Sequence, residues 1–314
     1  MGGGFYGIIL SGKEVLMKTA VKKIIAVILI CVPLISAAAV KPAALGEWKR
    51  RELSTMTVND TNIYNYKSVK MTLLGVDFTS RARLINEVTY VPLRDFTDAV
   101  TRATVTYYAS TKTATVKATG LDVSATAGTN IVYANSRPLF SLTPTKIMSD
   151  GKMYVPVRTL VKAFGLSLTW DAATSSVSVT GEYSPLTPAS EYYNKDDVYW
   201  LSRIISAESA GEPLLGQIAV GNVVLNRVRS SDYPSSIYGV IFDRKWGVQF
   251  SPVANGTIYN SPYYTSVIAA RICLEGISVS GDVLYFMEPR ISSSSWIKNN
   301  RYYAFSIGNH DFYY

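Results

Sequence analysis

The chain has 314 residues and a formal net charge of +8; 48% of its residues are hydrophobic and 17% are charged. This balance is typical of folded globular proteins and excludes a chain that is disordered throughout. The length allows two domains of ordinary size. No motif of a nucleic-acid-binding fold accompanies the positive charge, so we expect no nucleic-acid partner.

Residues 1–39 are predicted to be a secretory signal peptide with an upstream extension. Three lysines follow Met17, which we expect to be the true start, and an apolar stretch spans residues 24–35. Ala37 and Ala39 then fit a signal-peptidase site. The apolar stretch is shorter than the roughly 20 residues that span a bilayer, although an uncleaved anchor remains the alternative. The sequence therefore predicts a secreted protein.

Once this segment is removed, Cys273 is the remaining cysteine, so no internal disulfide is expected. The excess of positive charge falls in residues 40–195. Such a charge favours attraction to an anionic surface such as a cell wall, although it also fits a merely soluble basic face.

A repeat runs through the first half of the chain. VTYVPLRDFTDAV begins at Val88 and KMYVPVRTLVKAF begins at Lys152, and each is followed by a segment of alternating Val and Thr residues. The pattern predicts a strand that ends at Val-Pro, a short amphipathic helix and then a hairpin. We therefore expect a β-rich module of repeated β-α-β-hairpin units over residues 60–181.

This doubled unit resembles the copper amine oxidase N-terminal-like domain. Residues 40–195 contain no histidine and no cysteine, so they offer no copper ligand set. The resemblance implies a non-catalytic module that associates with the cell wall. Residues 182–195, EYSPLTPASEYYNK, contain two prolines and two serines without an apolar period, and they predict a linker.

The second half, residues 196–314, is predicted to be mainly helical with a small β element. Its first helix places Val198, Leu201, Ile205 and Glu208 on one face, and Asp196 is expected to cap its start. The same rules predict the later elements: a helix over about 215–228, a loop over 244–256, a helix with Ser261 as N-cap and Pro262 as its first residue that ends at Gly276, a strand from Gly281, and an extended aromatic tail from Trp296.

Glu208 is the candidate catalytic residue, because it lies on the face of the helix that packs inward. Burial disfavours the charged form of a carboxyl group and raises its pKa. A glutamic acid that stays protonated near neutral pH can donate its proton to a glycosidic oxygen. The alternative is a glutamate at a helix end that turns to solvent.

Residues 197–314 resemble the cell-wall hydrolase family of the spore-cortex-lytic enzymes SleB and CwlJ. The stretches that carry the resemblance are IISAESAGEPLLGQIAVGNVVLNRV, GVIFDRKWGVQFSPVANGTI and SSSSWIKNNRYYAFSIGNHDFYY. The resemblance implies a lysozyme-like fold with Glu208 as the catalytic acid. It also implies cleavage of spore-cortex peptidoglycan between N-acetylmuramic acid and N-acetylglucosamine during germination.

A glycosidase with two catalytic carboxylates needs a second acid close to the first. Glu212 is the nearest candidate, but Gly211 and Pro213 break the helix there, and a solvated charge is the other interpretation. Glu275 is expected on the surface. The remaining acids lie in predicted loops: Asp232, Asp243, Asp282, Glu288 and Asp311. Without a second acid, we expect a lytic transglycosylase; a hydrolytic muramidase or glucosaminidase is the alternative.

Several further residues could bind the sugar. Gln249 could position an acetamido group or the attacking hydroxyl, or it could simply bind backbone. Ser251 lies beside it in the same stretch, and His310 is expected to be a structural hydrogen-bonding residue near the site. Aromatic side chains could stack on sugar faces or merely pack: Trp246, Phe250, Tyr285, Trp296, Tyr302 and Tyr303.

Other chemistries are less well supported by the sequence. His310 is the single histidine, so a zinc amidase is not expected, and neither a metal nor another cofactor is predicted. Cys273 lies among apolar residues of a helix, where a buried small residue is the ordinary interpretation. A non-catalytic wall-binding protein that kept the lysozyme-like shape is the alternative from a different functional class.

Overall fold

The computed structural model describes residues 66–245, 247–292 and 296–314. The predicted signal peptide, residues 1–39, and the candidate Trp246 lie outside the described residues. Over the described ranges, the helices are all too short or too polar to cross a membrane.

Strands dominate residues 66–181. They are β1 (Lys70–Leu73), β2 (Val76–Asp77), β3 (Arg83–Ile85), β4 (Val88–Pro92), β5 (Ala103–Tyr108), β6 (Thr113–Ala118), β7 (Leu121–Thr126), β8 (Ile131–Ala134), β9 (Arg137–Phe140), β10 (Lys146–Ile147), β11 (Met153–Pro156), β12 (Ser167–Asp171) and β13 (Ser176–Thr180). Two helices interrupt them, α1 (Leu93–Val100) and α2 (Val157–Ala163). The region is β-rich, as the sequence predicts.

These strands form three sheets. Two sheets have four strands each, in the orders β12-β13-β1-β2 and β10-β11-β4-β3, and the third has five in the order β5-β6-β7-β8-β9. In the chain, β4 is followed by α1 and the β5–β6 hairpin, and β11 is followed by α2 and the β12–β13 hairpin. The first strand, β1, pairs in parallel with the last, β13.

Side-chain alternation explains why the five-stranded sheet has one buried face. In β7, Leu121, Val123 and Ala125 are buried while the residues between them are more exposed, which is the period of a half-buried strand. Ala114 and Val116 of β6 are buried in the same way. Strands β7, β8 and β9 lie between the two repeated units, and the repeat pattern does not predict them.

Residues 189–314 are mainly helical. The helices are α3 (Ala189–Tyr192), α4 (Lys195–Ser209), α5 (Leu214–Arg229), α6 (Ile237–Ile241), α7 (Ser251–Asn255), α8 (Tyr264–Leu274) and α9 (Trp296–Asn300). The strands are β14 (Tyr285–Met287), β15 (Tyr303–Ile307) and β16 (His310–Tyr313), in the sheet order β14-β16-β15. The long helices α4, α5 and α8 pack on one another around a second core.

Two predicted helix starts are wrong. Asn194, not Asp196, caps α4, because the Asn194 side-chain oxygen accepts from the backbone N–H groups of Asp196 and Asp197. Helix α8 begins at Tyr264 rather than at the predicted Ser261–Pro262 start, and the N–H of Tyr263 donates to Ser206 Oγ at 3.1 Å. The predicted bounds of α5 are confirmed.

The later predicted elements agree with the structure at the end of α8 and differ from it in the loop and the tail. Gly276 has φ +86°, a left-handed conformation that ends α8 as predicted. The predicted loop over 244–256 contains α7. The predicted extended tail instead forms α9 and the β15–β16 hairpin, whose second strand also pairs with β14.

The predicted linker, residues 182–195, is packed against its neighbours. The N–H of Ser184 donates to the carbonyl of Phe164, and the Tyr183 and Phe164 rings lie 6.0 Å apart. At Gly165, which has φ +67°, an added Cβ would lie 1.7 Å from the Ser184 carbonyl oxygen. The backbone of this segment therefore packs directly against the β-rich region, and the close approach of Ser184 requires glycine at position 165.

Candidate active site

Glu208 lies in the last turn of α4, on the same side as the buried residues Leu201 and Ile205, and its own side chain is half-buried. The close approach of α5 builds this environment. A Cβ added at Gly221 of α5 would lie 2.7 Å from both Ile205 Cδ1 and Cys273 Sγ. The three long helices therefore meet closely behind Glu208, and Cys273 is a buried core residue as predicted.

The Glu208 carboxyl group has few electrostatic partners. Burial raises its pKa from 4.5 to about 7, and the positive charge of Arg227 offsets only part of that rise. No described residue donates a hydrogen bond to this carboxyl group. Burial without a hydrogen bond from the described residues thus leaves about half of the Glu208 carboxyl groups protonated at pH 7.

Arg227 is a site residue that the sequence analysis missed. It is 5% exposed, and its Nε donates to the Leu284 carbonyl at 2.8 Å. Its guanidinium carbon lies 5.1 Å from the ring centroids of Tyr233 and Phe250, and 5.5 Å from that of Tyr285. Its Nη1 is buried and has no hydrogen-bond partner within the part of the chain that the structure describes.

A sequence signal for Arg227 exists. It follows Val220, Val223 and Val224 at the spacing of one helical face, and all four residues are buried. A cation on an apolar face is rare unless it has a partner. The position of Arg227 on that stripe could have marked it as functional.

Tyr285 and Trp296, both predicted to contact sugar, lie together near Arg227. Tyr285 Oη accepts hydrogen bonds from Tyr233 Oη at 3.1 Å and from Arg301 Nη2 at 2.9 Å. Burial would raise the pKa of Tyr285, but these hydrogen bonds and the nearby arginines lower it overall. Arg301 stacks between Tyr285 and Trp296, 4.6 and 4.7 Å from their ring centroids. Trp296 is 51% exposed, so part of its face is open to solvent.

The other predicted sugar contacts differ in placement. Gln249 is half-buried and donates to the Gly247 carbonyl at 3.0 Å, which is the backbone-bound alternative. Phe250 is 2% exposed and packs in the core, which is the packing alternative rather than stacking on a sugar face. Ser251 is exposed at the start of α7. Tyr302 is 85% exposed, which leaves its ring available.

His310 is buried in β16, with its ring 5.4 Å from that of Phe286 in an edge-to-face arrangement. Burial lowers the pKa of His310, and the charge of Glu212 opposes that shift only in part. Its Nδ1 has no hydrogen-bond partner among the described residues. The predicted hydrogen-bonding role is therefore absent at Nδ1, and ring packing is the contact that the structure shows.

Glu212 is not the solvated charge that the sequence suggested. It is 9% exposed, and its two carboxylate oxygens accept from the backbone N–H of Asn309 at 2.9 Å and from Asn309 Nδ2 at 2.8 Å. A Cβ added at Gly308 would lie 1.8 Å from Glu212 Oε2. Glu212 therefore holds the turn between β15 and β16 and has no oxygen left free of that task.

Glu275, predicted to lie on the surface, is buried. Arg137 of β9 donates to both of its oxygens, at 2.7 and 2.9 Å, Lys162 Nζ lies 2.7 Å from Oε2, and Tyr193 Oη donates at 2.6 Å. Burial would raise the pKa of Glu275, but these donors outweigh burial and hold it below its usual range. Because β9 and α2 belong to the β-rich region, this carboxylate joins that region to the C-terminal end of α8.

The loop acids have local tasks or lie at the surface. Asp243 accepts from the Lys245 backbone N–H at 2.9 Å, and its charge also acts on Arg227. Asp311 lies in β16 and accepts from Ser306 Oγ. Within the described ranges, there is no group of three or more histidine, cysteine or acidic residues that could bind a metal ion.

Comparison with known proteins identifies two domain families. Residues 211–313 match the family model described as Cell Wall Hydrolase, and residues 74–179 match the model described as Copper amine oxidase N-terminal domain. Glu208 lies three positions before the first of these matches, so its assignment rests on the geometry described above.

The chain is also similar to individual proteins. It is 38% identical over 105 residues to a spore cortex-lytic enzyme of Bacillus cereus, which is 33% of this chain and 39% of that protein. The corresponding enzyme of Bacillus subtilis is 35% identical over 105 residues, or 33% of this chain and 33% of that protein. The chain thus spans about two fifths or less of these relatives.

One solved structure, the catalytic domain of the germination-specific lytic transglycosylase SleB from Bacillus anthracis, shares 36% sequence identity. The match covers 41% of this chain and 100% of that one, with a TM-score of 0.36.

Proposed function

We propose that this chain, whose residues 211–313 belong to the cell wall hydrolase family, cleaves the glycan strand of peptidoglycan between N-acetylmuramic acid and N-acetylglucosamine. Glu208 acts first as general acid and then as general base. The observation that carries the proposal is the state of Glu208, which is half-buried, lacks a hydrogen bond from any described residue and has a pKa of about 7. A carboxyl group in this state is suited to giving up a proton near neutral pH.

In this reaction Glu208 is the one protein group that gives up and takes back a proton. In the first step the Glu208 carboxyl gives its proton to the glycosidic oxygen, and the bond from that oxygen to the anomeric carbon breaks with its electron pair passing to the oxygen. In the second step the 6-hydroxyl oxygen of the same muramic acid bonds to the anomeric carbon. Its proton passes to the Glu208 carboxylate, so the acid is regenerated and the product is a 1,6-anhydro sugar.

Two buried candidates for a second catalytic carboxylate, Glu212 and Glu275, have other partners, and this supports transglycosylation over hydrolysis. Glu212 accepts from Asn309 through both oxygens, and Glu275 is saturated by Arg137, Lys162 and Tyr193. Both carboxylates are thus engaged in hydrogen bonds that hold the fold, which favours a reaction without an activated water molecule. A hydrolytic muramidase or glucosaminidase is the alternative, and it would need a loop aspartate such as Asp243 to approach the substrate.

The proposed setting of the reaction is supported by the names of the relatives and by the predicted N-terminal signal peptide. Because the matched relatives are named spore cortex-lytic enzymes, we propose that the substrate is spore-cortex peptidoglycan and that cleavage occurs during germination. The signal peptide predicted over residues 1–39 would deliver the enzyme to that compartment. In this proposal the catalytic domain, residues 196–314, adopts a lysozyme-like fold.

The test of catalysis compares Glu208→Gln with wild type on purified peptidoglycan. The amide keeps the shape of the side chain and cannot donate a proton, so we expect the cleavage rate to fall by roughly 10²–10⁴-fold or more. Glu191→Gln, an exposed glutamate of α3, is the matched control and should cleave like wild type. Wild-type activity in Glu208→Gln would remove this glutamate from the mechanism, and binding without cleavage by wild type would favour a non-catalytic wall protein.

The β-rich module, residues 60–181, has a separate proposed role in holding the enzyme at the cell wall. Its family match is to a domain that here contains no histidine or cysteine, and residues 40–195 carry the excess positive charge. We expect wall binding by the full chain to weaken as salt rises, since exposed charges are screened within about 10 Å at 0.1 M salt. Sedimentation with insoluble wall material measures this, and salt-independent binding would exclude an electrostatic contribution.

A further inference from the structure

Two groups of the site, the Arg227 guanidinium at Nη1 and the Glu208 carboxyl, each lack a hydrogen-bond partner within the described ranges, and they interact electrostatically. Arg227 Nη1 is buried and donates to no acceptor among the described residues. The Glu208 carboxyl group accepts no hydrogen bond from those residues, yet the charge of Arg227 acts on it. The two do not form an ion pair within 4.0 Å in this state. A buried donor left without an acceptor costs roughly 1–3 kcal/mol, so the arrangement calls for an explanation.

We infer that Arg227 is a positioning residue for Glu208, and that its free Nη1 arm receives the Glu208 carboxylate after the proton has passed to the glycosidic oxygen. This inference rests on the proposed function, because it assigns a task within that reaction. In its protonated form, which the first step requires, Glu208 is neutral and needs no ionic partner. Once it becomes an anion, the guanidinium supplies both a charge and a donor, and the carboxylate is held in place to accept the proton of the 6-hydroxyl.

The surroundings of Arg227 fit a fixed partner. Its Nε is anchored to the Leu284 carbonyl, and the Tyr233, Phe250 and Tyr285 rings surround its guanidinium group. A donor that is already oriented stabilises developing charge without the cost of reorganisation. Because the guanidinium is planar and offers several donors, one arm can be anchored while another remains available.

Other charged and titratable groups also face this cation. Tyr233 follows α5, Tyr285 is on β14, and the charges of both act on Arg227 together with that of Asp243, which follows α6. Arg301, after α9, contacts Tyr285 rather than Glu208. Of these described groups, Arg227 is the one whose charge lowers the pKa of Glu208.

The test is a direct titration of the Glu208 carboxyl by ¹³C NMR in the full chain, with Glu208→Gln to assign the resonance. In Arg227→Met, which keeps an apolar stem between the rings but no charge, we expect the titration midpoint to rise by about one pH unit. The alkaline limb of the kcat/KM profile should move upward with it, and kcat should fall by about 10²-fold. A merely structural role would lower activity without moving the midpoint.

Two further variants keep the test decisive. Arg229→Gln removes an exposed arginine of the same helix and should leave the midpoint at its wild-type value. Arg227→Lys keeps the positive charge, but an ammonium group cannot bind the Leu284 carbonyl and the Glu208 carboxylate through two fixed arms. We therefore expect the titration midpoint of Glu208 to stay at its wild-type value while kcat falls. If Arg227→Met does not fold, wild-type kcat in Arg227→Lys would still overturn the inference.

The outcomes separate this inference from the proposed function. An unmoved midpoint in folded Arg227→Met, with cleavage still abolished by Glu208→Gln, would reject the role of Arg227 and leave the glycosidase in place. If the midpoint shifts in Arg227→Met but the wild-type protein cleaves no glycan, the interaction of Arg227 with Glu208 would stand and the proposed glycosidase activity would be rejected.

Discussion

Glu208 is half-buried and Glu275 is buried, and the surroundings of these two glutamates shift their pKa values in opposite directions. At the junction of β9, α2 and α8, Glu275 receives donors from Arg137, Lys162 and Tyr193, and its pKa is lowered. At the end of α4, Glu208 receives no hydrogen bond from the described residues, and its pKa is raised to about 7.

The difference shows that burial alone does not assign a role to a carboxyl group. Burial by itself would raise the pKa of both residues. The hydrogen-bond donors around each carboxyl group decide whether its pKa is raised or lowered overall. A saturated carboxylate stabilises the fold and is chemically inert, whereas an unpaired one can exchange a proton.

The largest expected effect is that of pH on cleavage. The acid form of Glu208 is needed in the first step, so the rate should fall about tenfold for each pH unit above about 7. Initial rates on soluble glycan fragments between pH 6 and pH 9 measure this, with binding to Glu208→Gln as the control for substrate affinity. A flat profile through pH 9 would mean that no group with this pKa acts as the acid.

Glu275→Gln should affect stability rather than chemistry. It leaves Arg137, whose side chain is 4% exposed, without its anionic partner, and breaking a buried pair in this way costs about 3–5 kcal/mol. Urea unfolding measures the loss, and the folded fraction should cleave at the wild-type rate. A stable Glu275→Gln protein with impaired cleavage would reverse the roles that we assign to the two glutamates.

Glu212→Gln should have a smaller and more local effect. The amide can still accept one hydrogen bond from Asn309 but presents N–H groups to the second donor, at a cost of about 1–3 kcal/mol. Hydrogen exchange should therefore quicken in the β15–β16 hairpin and not in α4. Uniform exchange across both elements would argue against a task confined to the turn.

The two sites should also differ in how their contributions to stability depend on pH. The pKa of Glu275 is lowered on folding, so its contribution is present above about 4.5 and is lost as pH falls through its folded pKa. The pKa of Glu208 is raised, so its contribution is present below 4.5 and is lost as pH rises through about 7. From pH 5 to pH 8, wild type should lose stability relative to Glu208→Gln in urea unfolding, and an unchanged difference would contradict the raised pKa.

The sequence predicted what depends on short-range pattern. Glu208 was found because helical spacing places it with Leu201 and Ile205, and α5 was found from its apolar stripe. The hairpins followed from alternating residues. These signals lie within one element, where the period of the backbone decides which side chains face inward.

What the sequence could not predict depends on partners that are distant along the chain. Arg137 is 138 positions from Glu275, and Asn309 is 97 positions from Glu212, so neither contact has a local pattern. Because these partners are distant in sequence, local pattern alone places Glu275 at the surface and Glu212 in solvent. Arg227 is different, since its place on an apolar stripe was visible and its meaning depended on the nearby Glu208.

Cleavage in water enriched in ¹⁸O tests the central claim most directly, because it asks whether one carboxyl group and the substrate's own hydroxyl suffice. If Glu208 works alone, the new chain ends should be 1,6-anhydromuramic acid without ¹⁸O, as measured by mass spectrometry of the released fragments. Reducing ends that carry ¹⁸O at the anomeric carbon would contradict the account. They would require a second group that activates water in place of the 6-hydroxyl.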